Sequence, residues 1–458
     1  MMSKRILQLA ALSVLFCFCA LAQAVHLSDT GRGDALIVPY WTAAGGNDTL
    51  LTVRNHGDEA TAAKFRLMDA DGGQIGAWNV YLDARATYTL TMSNVSGQLL
   101  ILDDLNNACV APLATAFNGT ATTRSPGFEG GYIEIIEMGR AADDSGTEAA
   151  TEWPACDEVN ERLFYGIWLD DPNAGILPPG GALSASVSLI HVDVGGMVTI
   201  DATALAGFSD VPQHTDPDSD VPSLATPHDS GAAPGKTRSR TCTETECRTD
   251  AWDVPVEAVA AVLMAKSIEA DVVVNPAIGA KAELVIVKPL ERYKRQDQLS
   301  FFSEPKLLLR RRDGTRIAGS IMGCVCVTTC CELRGSWFPV TPLRAAVDVV
   351  TLNASASEVG LEQRSPVLAA PTIAEFSLDD HDFVSGVARL FFDQGFPPQG
   401  IMPSICNDDI CMSGEPVMGF VIQQYTNGTL IDADGARICA NYRTAVEWTR
   451  ELRIRERP

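Results

Sequence analysis

The sequence predicts a mainly β protein. An antiparallel, immunoglobulin-like β-sandwich is expected over 25–208, a Pro/Asp/Ser/Thr-rich linker over 209–250, and a second mostly-β domain with one or two short helices over 251–458. Three observations carry this: apolar residues recur with period 2, short runs are separated by turn-forming residues, and few stretches show helical spacing.

Leu50-Leu51-Thr52-Val53-Arg54 and Ala63-Lys64-Phe65-Arg66-Leu67-Met68 read as strands joined through Asn55-His56-Gly57-Asp58. Asp69-Ala70-Asp71-Gly72-Gly73 turns the chain into a strand at Trp78 to Leu82. Thr87 to Met92, Gln98 to Leu102, Gly131 to Met138, Arg162 to Trp168 and Ala185 to Val192 continue the series. The stretch 209–250 is almost free of large apolar residues, so on composition it reads as linker or long loop. Beyond it, a helix is expected over 256–265. Strands follow at Asp271 to Val274, Ala282 to Val287, Lys306 to Arg310, Ile317 to Met322, Ala345 to Leu352, Gly386 to Phe392 and Met418 to Tyr425. Arg312-Asp313-Gly314 and Asn427-Gly428 are expected hairpin turns, because those residue types tolerate positive φ.

The start of the chain reads as a cleavable secretory signal over 1–24. Lys4 and Arg5 precede the apolar run Ile6 to Leu21, and Ala22-Gln23-Ala24 supplies the small residues of a cleavage site. A secreted, periplasmic or cell-surface location follows, with no transmembrane segment after cleavage. Cleavage removes Lys4 and Arg5 from the 35 basic residues and none of the 58 acidic ones, so the net charge of −23 becomes −25. Such a surface repels phosphate backbones, which excludes nucleic acid as a partner.

Eleven of the 13 cysteines lie beyond residue 24. In an oxidising compartment they read as disulfides, and the odd number leaves at least one thiol, such as Cys439, free or bonded to another chain. Cys242 and Cys247, like Cys406 and Cys411, have a spacing that closes a short local loop. Cys109 and Cys156 are the only pair in the N-terminal half and are assigned to each other. Cys324, Cys326, Cys330 and Cys331 form the densest cluster. Disulfide bonding is the first reading there and a soft-metal thiolate site the second, since the spacing is not that of a zinc ribbon.

Catalytic signatures are missing: no G-x-S-x-G, no H-E-x-x-H and no phosphate-binding glycine loop, so no catalytic residue and no cofactor are assigned. Several local patterns have a bland and a sharp reading. Asp216-Pro217-Asp218-Ser219-Asp220 alternates carboxylates like a calcium loop, but lacks its glycine and its distal glutamate, and reads as a solvated segment. Asp432-Ala433-Asp434-Gly435 suits a turn. Arg32-Gly33-Asp34 spells an adhesion tripeptide but begins a turn and strand. Glu134 and Glu137 sit three positions apart in a strand-like run, which places them on opposite faces rather than as an acid/base pair. His381, between Asp380 and Asp382, is the one histidine with a carboxylate on each side, and reads as part of a solvated turn. Tyr40, Trp41, Trp78 and Trp337 could form a binding face, but core packing is the first reading for most of them.

Val38-Pro39-Tyr40-Trp41, Gly46-Asn47-Asp48-Thr49-Leu50, Glu129 to Gly139, Ala258 to Met264, Gly414 to Phe420, Asn427-Gly428 and Ala440-Asn441-Tyr442 occur in an order that resembles an uncharacterised family of secreted proteins from Gram-negative bacteria. The resemblance implies an exported, β-rich protein and no established activity. The cluster Cys324 to Cys331 and the cysteine-flanked linker depart from it. The favoured function is a non-enzymatic secreted or surface-associated protein that binds or scaffolds a protein or surface partner. An extracytoplasmic hydrolase with a site assembled from distant residues, and a thiol or metal protein centred on Cys324 to Cys331, are the competing readings.

Overall fold

The computed structural model describes residues 24–458 except 104–107, 112–128, 144, 296–304, 318, 327–328, 336–337, 340–342, 344, 354–363, 371–373, 379–381, 393–403, 432–436 and 458. For 103, 295, 319–326, 329–335, 338–339, 353, 374–377, 404, 427–431 and 437–440 the backbone alone is described. The expected signal sequence, up to residue 23, lies outside the described residues, as do His381, Trp337 and Asp432 to Gly435. Strands make up 52% and helices 9%, which places the chain in the mainly β class.

Two antiparallel sheets build the N-terminal half. The larger runs in space His26–Leu27, Thr203–Ala206, Ala35–Thr42, Gly130–Ala141, Thr61–Asp69, Gln74–Leu82, Cys109–Ala111, with Ile176–Leu177 also paired to Gly130–Ala141. The smaller runs Gly196–Asp201, Leu183–His191, Asn47–Asn55, Thr87–Val95, Gln98–Asp103. Strict alternation in Asn47–Asn55 and Thr87–Val95 puts Leu51, Val53, Tyr88, Leu90 and Met92 inward, against Phe65, Trp78 and Ile135 of the larger sheet.

One expected strand is corrected. Arg162 to Trp168 is instead the end of a helix, α1 (Cys156–Phe164), followed by a 3-10 turn at Ile167–Leu169. Val159 and Leu163, four apart, bury one face of α1, while Asp157 and Glu158 fill its first turn and Arg162 its last. A bridge between Cys109 and Cys156 ties the start of α1 to the sheet.

The C-terminal half also has two principal sheets. One runs Phe338–Pro339, Lys306–Arg311, Ser385–Phe391, Ser267–Val273, Thr449–Glu451; the other runs Ala374–Ser377, Val347–Asn353, Lys281–Val287, Met418–Ile431, Arg437–Glu447. Every pairing is antiparallel except Val347–Asn353 with Ala374–Ser377. Asn427-Gly428 does not form the expected hairpin turn. It falls inside Met418–Ile431, where the register with Arg437–Glu447 shifts between Thr426 and Thr429.

Strand Lys281–Val287 explains how the halves join. Ala282, Leu284 and Ile286 face the core between the two C-terminal sheets, while Val285 and Val287 face the N-terminal sandwich. A strand buried on both sides must be apolar throughout, as this one is apart from Lys281 at its start and Glu283. The helix α2 (Pro255–Leu263) fills the same junction, and its residues Val256 and Ala258 to Leu263 are buried on every side. A single apolar core therefore runs from Val25 to Ile422 across the expected linker.

The stretch 209–250 forms a long loop and then a hairpin, Thr237–Cys242 with Cys247–Trp252, closed by the Cys242–Cys247 bridge. The loop lies against the larger N-terminal sheet rather than in open solvent, as described next. A third bridge joins Cys406 and Cys411. No described helix is long and apolar enough to cross a membrane.

Candidate functional site

The outer face of the larger N-terminal sheet is where the buried polar chemistry collects. Period 2 in Thr61–Asp69 sends Ala63, Phe65 and Leu67 into the core and Lys64 and Arg66 outward; Gln74–Leu82 likewise sends Asn79 and Tyr81 outward. Water does not cover these side chains. The loop at 209–224 does, and its carbonyls turn inward. Lys64 Nζ donates to the Thr215 hydroxyl at 2.9 Å and to the carbonyls of Asp216 at 2.6 Å, Ser219 at 2.9 Å and Val221 at 2.8 Å. Arg66 donates to the carbonyls of Asp220 and Pro222, and its Nε lies 3.7 Å from Glu134. Asn79 donates to the Thr215 carbonyl at 2.8 Å. The Tyr81 hydroxyl meets His214 Nε2 at 2.8 Å, while His214 Nδ1 meets the Pro172 carbonyl at 2.7 Å.

The loop therefore wraps an ammonium much as oxygen-lined loops wrap a metal ion, and the cation is the protein's own. The carboxylates of Asp216, Asp218 and Asp220 are exposed, that of Asp220 lying 3.9 Å from Arg66 Nη2. Desolvation, reinforced by Arg66, lowers the Lys64 pKa to about 7. The negative charges of Asp216, Asp218 and Asp220 act in the opposite sense. Burial lowers His214 to about 4, so it is neutral.

Buried carboxylates hold other loops in the same manner. Glu137 accepts from the Gly180 and Gly181 amides at 2.7 and 2.8 Å and from the Thr61 hydroxyl at 2.9 Å. Asp34 accepts from the Phe208 and Ser209 amides at 2.7 and 2.9 Å. Glu283 accepts from the Val367 and Leu368 amides at 2.5 and 3.1 Å. Burial raises Asp34 to about 6, and Glu137 and Glu283 to about 7.

Each candidate from the sequence now has a place. Glu134 pairs with Arg66 while Glu137 holds Gly180 and Gly181, so the two carboxylates do not converge. Asp34 is buried, and a side chain at Gly33 would strike the Leu205 carbonyl, so Arg32-Gly33-Asp34 is not displayed for adhesion. Tyr40, Trp41 and Trp78 pack in the core, the first of the two readings. Cys324, Cys326, Cys330 and Cys331 lie on a hairpin in which Gly323 faces Cys331 and Cys326 faces Thr329; their sulfurs, and that of Cys439, are outside the described atoms. Among the described residues no three His, Cys, Asp or Glu side chains are grouped to hold a metal.

One feature sequence reasoning missed stands out on the surface. Where α1 gives way to the 3-10 turn, Phe164 is 40% exposed, Tyr165 85%, Ile167 56% and Leu169 58%. Scattered exposed apolar residues are ordinary, but four large ones within six positions are not. Their base is packed and cross-linked. Trp168 stacks on Tyr81 with centroids 5.9 Å apart and donates to the Ala174 carbonyl, Trp153 packs edge-on against Trp168, and the Cys109–Cys156 bridge anchors α1. Exposed Asp157, Glu158, Glu161, Asp170 and Asp171 flank the patch in sequence; the nearby Arg162 is paired with Glu158 at 2.6 Å. The dense apolar run Leu163-Phe164-Tyr165 and Ile167-Trp168-Leu169, bounded by acids and a cysteine, is its signature in the sequence.

Compared with known protein families, curated proteins and solved structures, the chain matches none.

Proposed function

We propose that this chain is a non-enzymatic, exported protein of the cell exterior or envelope that docks onto a partner protein through the apolar protrusion at 164–169. The exposure of Phe164, Tyr165, Ile167 and Leu169 on a braced base carries this reading. A rigid aromatic anchor loses little conformational entropy on binding, and Tyr is prominent among residues that dominate interface energies. The flanking carboxylates select the partner: an apolar socket rimmed by Lys or Arg satisfies them, whereas an anionic membrane surface repels them. Export is supported by the basic-apolar-small pattern of residues 1–24 and by three intramolecular disulfides.

Tyr165→Ser combined with Ile167→Ser tests the proposal without altering charge. In extracts of the native compartment, the wild-type chain is expected to elute as part of a larger complex and the double variant alone. Binding of the purified chain to phosphatidylcholine vesicles, lost in the double variant, would show lipid insertion instead. Unchanged complex formation by the variant would show that the protrusion is not the docking element.

A further inference from the structure

A second solvent-facing feature lies elsewhere, where the two halves meet. A cleft of about 360 Å³ is walled by apolar side chains that include Leu27, Pro39, Ile200, Leu263, Ile268 and Trp448. Arg450 also lines it, from strand Thr449–Glu451, opposite Ile268. Alternation along that strand separates Arg450 from its neighbour Glu451, which binds Lys266, Ser267 and Arg389.

The Arg450 guanidinium has one described hydrogen bond, to the Val262 carbonyl in the last turn of α2. That bond caps a helix end, but a guanidinium has five donors. Among the described residues no carboxylate lies within ion-pair distance of it. Desolvation lowers it to about 10 with no acidic neighbour offsetting the shift. The two carboxylates in the cleft lining, Asp201 and Glu447, are exposed, where water screens them. The arrangement is a half-buried, unneutralised cation beside an apolar wall, with two exposed carboxylates elsewhere in the lining.

We infer that this cleft binds a small monoanionic amphiphile, an aliphatic carboxylate whose head pairs with Arg450 and whose chain lies along the Ile200, Leu263 and Trp448 wall. A carboxylate matches the guanidinium fork with two parallel hydrogen bonds. The two lining carboxylates, Asp201 and Glu447, disfavour polyanions such as nucleotides, and the volume falls at the small end of ligand sites, about 300–1,000 Å³. The inference does not depend on the protrusion's role.

Octanoate is the probe, measured by equilibrium dialysis against the full mature chain, with 1-octanol and octylamine as controls. Octanoate is expected to bind more tightly than either control, and Arg450→Gln to weaken it about 10- to 100-fold. Arg450→Lys keeps a cation and retains part of the affinity. Thr203→Trp fills the cleft from a neighbouring strand while leaving Arg450 and its helix cap intact, so it decides the matter even if Arg450→Gln does not fold; it is expected to abolish binding. Octanoate binding no tighter than octanol, no binding by the wild-type chain, or binding indifferent to Thr203→Trp would each overturn the inference.

Discussion

Lys64 and Lys288 are both buried, one in each half, and their surroundings differ in kind. Lys64 sits among the Thr215 hydroxyl and three carbonyls of a loop, whereas Lys288 lies 3.3 Å from Asp348 and donates to the Leu343 carbonyl at 2.6 Å. The first cation organises a segment with almost no apolar core of its own. The second neutralises a carboxylate on a strand already held by its sheet. A buried charge can thus fold a loop or merely balance a neighbour, and the partner atoms tell which. Arg450, with one carbonyl and a cleft before it, matches neither pattern.

Removing each lysine breaks the comparison most directly. Lys64→Met strands several inward carbonyls and is expected to cost about 3–5 kcal/mol in denaturant unfolding, with new protease cleavage inside 209–236. Lys288→Met is expected to cost less at pH 5 than at pH 8. Asp348, already raised to about 6 by burial, then takes up a proton instead of remaining an unpaired charge. A Lys64→Met variant less than about 1 kcal/mol destabilised would remove the distinction between the two sites.

The disulfides sharpen it at a smaller scale. Cys109 and Cys156 are separated by 47 positions, Cys406 and Cys411 by 5. On loop-closure entropy, Cys109→Ser with Cys156→Ser should destabilise by about 2 kcal/mol more than Cys406→Ser with Cys411→Ser. It should also free α1 and weaken docking, whereas the short-loop pair leaves docking unchanged. Equal melting shifts for the two double variants would contradict this.

Solution pH reads the carboxylate clamps. Glu137, raised from an unfolded value of about 4.3 to about 7, binds more protons folded than unfolded between those limits. Its contribution is complete below pH 4 and is lost as pH rises through 7, so this group makes the fold less stable at pH 8 than at pH 5 by about 2–3 kcal/mol. Glu137→Gln is expected to flatten that part of the stability profile. The smallest effect belongs to the protrusion: Tyr165→Ser with Ile167→Ser should change stability by no more than about 0.5 kcal/mol, because neither side chain packs in the core.

Much of the sheet framework was legible in the sequence because alternation reports directly on which face is buried, as in Asn47–Asn55 and Thr87–Val95. Helix α1 was not. The apolar density of Leu163 to Trp168 masked the four-residue spacing of Val159 and Leu163. The cover at 209–224 escaped for a different reason. Composition measures what side chains can bury, and this segment is fastened by its backbone carbonyls, which every sequence has. Nothing in Lys64-Phe65-Arg66 distinguishes cations facing water from cations facing carbonyls. The cleft at Arg450 was equally hidden, since it needs strands more than 150 positions apart to meet.

Site-specific photo-crosslinking in living cells of the source organism tests the central claim most directly, with benzoylphenylalanine placed at Tyr165 and, separately, at the isolated exposed Tyr442. One discrete adduct is expected from position 165, mapping to an apolar surface flanked by Lys or Arg on a second protein, and none from position 442. No adduct at 165, or the same adducts from both positions, would contradict it.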